Sequence, residues 1–241
     1  MWPLHGPERR LARIAFRGQE AWIEARIVGA RSVVGGDRAY WIAHASVIGS
    51  SSDAPAKGYG CAGRMIAACE GAIRECAERW LVRRLGWAAR RPLLVRLRNI
   101  DRSLAVGSAA DARLADCRAR HDLLDKLMLA RWRANAGDGR HPLRIIKRSA
   151  GWRTPPAFSV LLRDADGCWG AGTHPCLRRA EAHARGEILI QQVFGERDPP
   201  LVNRTLAGIL VPQALAVVRQ ARARHLRWRC DGQERILAVL S

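Results

Sequence analysis

Three short glycine-rich segments, each followed at once by a long stretch of helical character, constrain this chain more than any other feature of its sequence. They are Gly58-Tyr59-Gly60-Cys61-Ala62-Gly63, Leu104-Ala105-Val106-Gly107 and Gly170-Ala171-Gly172-Thr173-His174-Pro175. The spacing predicts helices over about 64–84, 111–135 and 176–194, so the glycine segments read as turns that hand the chain into a helix. Each helix carries polar groups three or four residues apart, which places them on one face. The sets are Glu75, Glu78 and Arg79; Asp122, Asp125 and Lys126; and Glu187 and Gln191. Bare N–H groups at a helix N-terminus suit phosphate oxygens, and carboxylates brought from several helices suit magnesium. Together these parts would make a nucleotide site. The bland reading of the same residues is a solvated helix face, where pairs such as Glu75–Arg79 are worth a few tenths of a kcal/mol.

Between the helices the pattern changes to a period of two. Trp22–Val28 and Ala39–Val47 are β-branched and aromatic and flank Gly35-Gly36-Asp37, which predicts a hairpin. Leu94–Ile100 sets Val95 and Leu97 against Arg96 and Arg98, and Phe158–Arg163 runs into the turn pair Asp166-Gly167. A fourth helix is expected over about 205–229, ending in Arg219, Arg222, Arg224, Arg227 and Arg229. Hairpins mixed with crossovers favour an α+β fold, with mixed sheets and helices converging on the nucleotide site. At 241 residues the chain suits a single domain. We divide it into an N-terminal hairpin region at 1–57, a motif-bearing core at 58–194 and an Arg-rich segment at 195–241.

The formal net charge is +19, and all but three of the 41 cationic side chains are arginines. So basic a chain meets anionic partners, yet the global Arg/Ala bias is also what a GC-rich genome writes whatever the partner. Ordinary apolar and charged content excludes wholesale disorder. The longest apolar run, near Leu206–Val218, is interrupted by Pro212 and too short for a bilayer helix. The first ten residues lack the apolar core of a signal peptide, and the expectation is a cytoplasmic protein without a membrane span. Seven cysteines with no CxxC read as reduced and mostly buried thiols. A zinc site on His174 and Cys176 lacks further ligands at sensible spacing. His44 reads as a core or edge histidine and His121 as a helix-surface one. His183 lies one turn before Glu187 and can share its face. No G-x-S-x-G elbow and no Walker A sequence is present.

Taken in order, these segments resemble the YcaO-like family, ATP-dependent enzymes that activate backbone amides in ribosomally made peptides. PAFSVLLRDADGCWGAGTHP followed by LRRAEAHARGEILIQQ is similar to the family's closing strand, Gly-x-Gly turn and helix. GYGCAG with ECAER, and LAVG with DLLDK and Trp132, are similar to its two Glu-x-x-Glu-Arg helices. The resemblance covers about 58 to 194, by motif order. It implies that Glu75, Glu78, Asp122, Asp125 and Glu187 hold magnesium. It implies that Lys57, Gly58, Gly60, Arg79, Gly172, His174 and Gln191 contact ATP. The implied reaction phosphorylates a peptide amide oxygen as a Cys, Ser, Thr or external sulfur nucleophile adds, leaving an azoline, thioamide or amidine. Implied partners are a precursor peptide and a protein that recruits it, with a homo-oligomer open. This chain departs from the family in having Asp-Asp-Lys on the second helix and a spacing of four between Glu187 and Gln191. Two alternatives stand beside the enzyme: a catalytically inactive YcaO-like scaffold that binds a leader peptide, and a basic nucleic-acid-binding protein.

Overall fold

Alternating burial, not glycine, sets the architecture. In the computed structural model, residues 9–32, 39–49, 56–85, 105–135, 143–149, 157–195, 218 and 220–240 are described. In chain order they form β1 (Arg9–Phe16), β2 (Gln19–Ser32), β3 (Ala39–Ile48), β4 (Lys57–Ala62), α1 (Met65–Arg84), β5 (Val106–Ala109) and α2 (Ala112–Asn135). There follow β6 (Leu143–Ser149), β7 (Ala157–Arg163), β8 (Trp169–His174), α3 (Leu177–Phe194), β9 (Ala223–Cys230) and β10 (Gln233–Leu240). Strands and helices are mixed and every recorded strand pairing is antiparallel, so the fold is α+β. The chain divides into two compact units: residues 1–84 with 227–235, and residues 85–226 with 236–241.

In the first unit the hydrogen-bonded order is β4-β3-β2-β1-β9. Ala12, Ile14 and Phe16 on β1, Ile23 and Ala25 on β2, and Ala43, Ala45 and Val47 on β3 alternate with exposed or half-buried neighbours and are buried. Helix α1 covers that face with Ala68, Cys69, Ala72, Ile73, Cys76 and Trp80. Fully burying a side chain the size of Ile14 or Ile23 contributes about 1.5–3 kcal/mol. In the second unit β10 pairs with β5, and β6-β7-β8 form a separate sheet. There Val160, Leu162 and Cys168 pack against Ala180, Ala184 and Ile188 of α3. Asp111 starts α2 by accepting the Leu114 N–H at 2.8 Å, which satisfies one of the orphan donors of a first turn. Gly195, at φ +62°, ends α3 by donating to Gln191 O.

The three expected helices form within a residue of their expected starts, and the hairpin of β2 with β3 and the strand β7 form as expected. The glycine segments do not turn: Gly58 and Gly60 lie in β4, Gly107 in β5, and Gly170 and Gly172 in β8. Their purpose is close packing. A Cβ on Gly60 would stand 1.9 Å from Ala68 O, one on Gly107 2.7 Å from Ala115 O, and one on Gly172 2.2 Å from Ala180 O. Each glycine is met by the residue eight positions on, with a second alanine twelve on (Ala72, Ala119, Ala184) and an acid fifteen on (Glu75, Asp122, Glu187). The chain thus contains one strand–helix unit three times, with small residues setting how near the helix lies to its strand.

The expected fourth helix is corrected in part. Residues 201–217 and Arg219 lie outside the described residues, while 223–230 form strand β9. Trp228 points inward between exposed Arg227 and Arg229, so these arginines follow a period of two, not a helical stripe. Strands β1, β6 and β10 were not anticipated. The strand expected at Leu94–Ile100 and the turn at Gly35–Asp37 also lie outside the described residues. No helix among the described residues is long and apolar enough to cross a membrane.

Candidate functional site

Each strand–helix unit places part of its polar stripe against the outer edge of its own strand. Among the described residues β4, β5 and β8 end their strand orders, which leaves backbone groups without a neighbouring strand. In the first unit Glu75 accepts the Tyr59 N–H at 2.6 Å, and Arg79 donates to Lys57 O at 3.2 Å. Glu75 and Arg79 are themselves paired at 2.6 Å, and the guanidinium lies over the Tyr59 ring. In the second unit Asp122 accepts the Val106 N–H at 3.1 Å, and Arg118 donates to Ser108 O. Gln191 serves β8 with both ends of its amide, accepting from Trp169 N at 3.3 Å and donating to Trp169 O at 2.7 Å. Glu75, Asp122, Arg79 and Gln191, chosen from the sequence as ligands, therefore share one structural task with Arg118, which was not: latching a strand edge to the helix that follows.

The remaining expected residues have other surroundings. Lys57 is exposed at the start of β4, and Glu78 lies half-buried on α1, one turn after Glu75. Gly58, Gly60 and Gly172 face helix backbone, as described. His174 accepts the Cys176 N–H on Nδ1 at 2.9 Å, closing the short link into α3, and burial lowers its pKa. The side chain of Lys126 lies outside the described residues. None of the seven cysteines is in a disulfide; Cys69, Cys76 and Cys168 are buried and Cys176 is exposed. Burial pushes the Cys76 thiol up to about 12, and it donates to Ala56 O.

One polar cluster in the second unit stands apart from the latches. Asp125 on α2 accepts a hydrogen bond from Thr173 of β8 at 2.5 Å. Thr173 is joined to Ser159 of β7 at 2.9 Å, and both hydroxyls are buried. The other Asp125 oxygen faces His183 Nδ1 at 3.9 Å, while His183 Nε2 faces Glu187 at 3.7 Å. Burial raises the Asp125 carboxyl to about 6, against the opposing pull of His183 and Thr173. His121, near His174 and His183, is lowered to about 4 by burial. Sequence reading found Asp125 and Glu187 and saw that His183 shares the face of Glu187. It missed Thr173 and Ser159, because a hydroxyl on a strand carries no spacing signal.

Carboxylate oxygen suits magnesium, but Glu75 and Asp122 each already hold an N–H of their own strand. Among the described residues no three His, Cys, Asp or Glu side chains are grouped so as to hold a metal ion. Glu75 and Glu78 belong to the first unit, and Asp122, Asp125 and Glu187 to the second. Within either unit the described residues form no magnesium cage, and no reaction step is routed through one. Comparison with known proteins adds no family: no family model matches the chain, and no curated protein matches it.

Proposed function

We propose that this chain is a YcaO-like protein that uses ATP and magnesium to activate backbone amides of a ribosomally made precursor peptide, in company with a protein that recruits the peptide. The observation that carries the reading is the threefold unit itself. Glycine, two alanines and an acid recur at the same offsets in three strand–helix units, and each acid falls within the motif through which the chain resembles that family. ATP would convert the amide oxygen into a good leaving group as a nucleophile adds to the carbonyl carbon. The chain's own contribution would be anionic side chains held at fixed heights along three helices, with Arg79 beside the first. In the second unit the buried hydroxyl of Thr173, itself joined to Ser159, holds Asp125 of α2 against β8.

A second reading, an inactive YcaO-like scaffold for a leader peptide, is favoured by one specific observation. Glu75 and Asp122 are engaged with their own strands, which is what a chain that keeps the fold and has lost the chemistry would retain. A single experiment separates the two. Purified protein is titrated with magnesium and ATP by calorimetry, and phosphate release is then followed with the precursor peptide. The enzyme requires binding and release, with Glu78→Gln and Glu187→Gln abolishing release. No nucleotide binding at millimolar ATP, with the peptide still bound and bound more weakly as salt rises, establishes the scaffold instead.

A further inference from the structure

The sheet of the first unit has a second face, opposite α1. Six large hydrophobic side chains stand exposed among the described residues, and four of them belong to β1, β2 and β3: Leu11 at 56%, Trp22 at 50%, Val28 at 49% and Ile48 at 47%. The register makes three of them one band. Trp22 pairs directly with Ile48, and Leu11, which pairs with Glu24, is the diagonal neighbour of Trp22. Such neighbours lie within reach of a large side chain. Isolated exposed hydrophobics need no explanation, but a contiguous band across three strands marks an interaction surface.

Arginines ring the band on the same face. Arg13 is the direct cross-strand partner of Trp22, and Arg9 pairs with Arg26. Arg229 of β9 stands opposite Ala15, with Arg227 two residues before it. Their counter-charges are Glu20, paired with Arg13 at 2.6 Å, Glu24, shared by Arg26 and Arg9, and Glu234, paired with Arg227. Five cations face three anions, on a chain whose net charge is +19.

We infer that this face docks an acidic polypeptide segment bearing apolar side chains, supplied by another protein. An apolar centre holding a tryptophan, with arginines around it, is the composition of protein-binding patches. Charge decides among the candidate occupants. A second copy of this chain would bring one arginine ring against another, which like-charge repulsion opposes. A nucleic acid would gain one stacking side chain, because the rest of the band is aliphatic. It would also lay phosphates across Glu20 and Glu24. An acidic segment meets both requirements: its carboxylates compete for the arginines and its apolar side chains cover the band. The inference concerns a surface that the ATP reading does not use, and it stands or falls separately.

The test measures fluorescence anisotropy of a short labelled peptide alternating Glu with Leu, on the full chain at low salt. Controls are the same peptide with Gln for Glu, and an oligouridylate of equal length. The Glu peptide is expected to bind at least about tenfold more tightly than the Gln peptide, and to weaken by about tenfold with Trp22→Ser or Arg13→Glu. Ile66→Ser, an exposed site on α1, is expected to leave binding unchanged. Unchanged melting of the Trp22→Ser protein establishes that its fold is kept. Four outcomes overturn the inference: no binding of the Glu peptide, equal binding of the Gln peptide, tighter binding of the oligouridylate, or self-association of the parent protein abolished by Trp22→Ser.

Discussion

Asp125 is ionised at a cost that its neighbours only partly offset. With a folded-state pKa near 6, against about 3.9 for a free side chain, the folded protein holds this proton more tightly than the unfolded chain does. The resulting stabilisation is therefore fully present below pH 4 and is lost as pH rises to 6. Replacing the carboxyl by an amide removes that loss. We expect the stability of Asp125→Asn relative to the parent, measured by urea unfolding, to improve between pH 4 and 6 by on the order of 1–3 kcal/mol. A constant difference across that range would show that the carboxyl is not raised. His121 acts in the opposite sense: its lowered pKa gives stability that is present above pH 6.5 and is lost as pH falls towards 4. At Glu75 the chemistry is simpler. Glu75→Ala leaves the Tyr59 N–H without its side-chain acceptor, and an unsatisfied backbone donor costs about 1–3 kcal/mol. Faster hydrogen exchange at the Tyr59 amide, with little change at strand-paired amides of β2, is the signature that checks it.

Among the elements, the strand–helix unit shows what a single sequence discloses and what it conceals. The helices were legible because their apolar and small residues recur at helical spacing over about twenty residues. The glycines were legible as important and misread as turns, because a glycine that admits a bend and one that admits a helix backbone look alike in sequence. Gly60 settles the difference, since its missing Cβ is what lets Ala68 O approach. Gly60→Ala is accordingly expected to destabilise the protein by about 3 kcal/mol or more. Gly29→Ala on β2, where nothing lies within 4 Å, is expected to stay within about 0.5 kcal/mol. Thermal melting of the two variants side by side decides it, and equal effects would refute the packing account. The ligand expectations met a similar ambiguity. Acids at three- and four-residue spacing are compatible with a metal, a solvated face or a strand latch, and only the position of the strand edge distinguishes them. The C-terminal strands were missed because β9 is dense in arginine, and its period of two emerges only once Trp228 is known to be buried.

For the molecule as a whole, the division into two units does not follow the chain. Residues 227–235 belong with the first unit although they come after the second. They are tied there by β1: the Arg13 N–H donates to the Asp231 carboxylate at 2.8 Å, and the Asp231 N–H donates to Arg13 O at 2.8 Å. Asp231 adopts φ +49° to make this turn, a conformation that short polar residues tolerate better than alanine does. Asp231→Ala loses both the acceptor and that tolerance. We expect a loss of about 1–3 kcal/mol, checked by denaturant unfolding, with Asp231→Gly recovering the part due to the backbone. If Asp231→Gly is as unstable as Asp231→Ala, the carboxylate alone matters.

The clasp between Arg13 and Asp231 also sets an order of events during synthesis. Its two partners are 218 residues apart, and at about 5–20 residues per second a ribosome needs about 10–40 s to travel between them. For that interval β1 has β2 on one side and an open backbone edge on the other. The nascent first unit therefore passes through a period in which it is a ready template for a foreign strand. A chaperone that binds exposed edges, or slow passage through the codons before β9, would change the yield of folded protein without altering the stability of its final state.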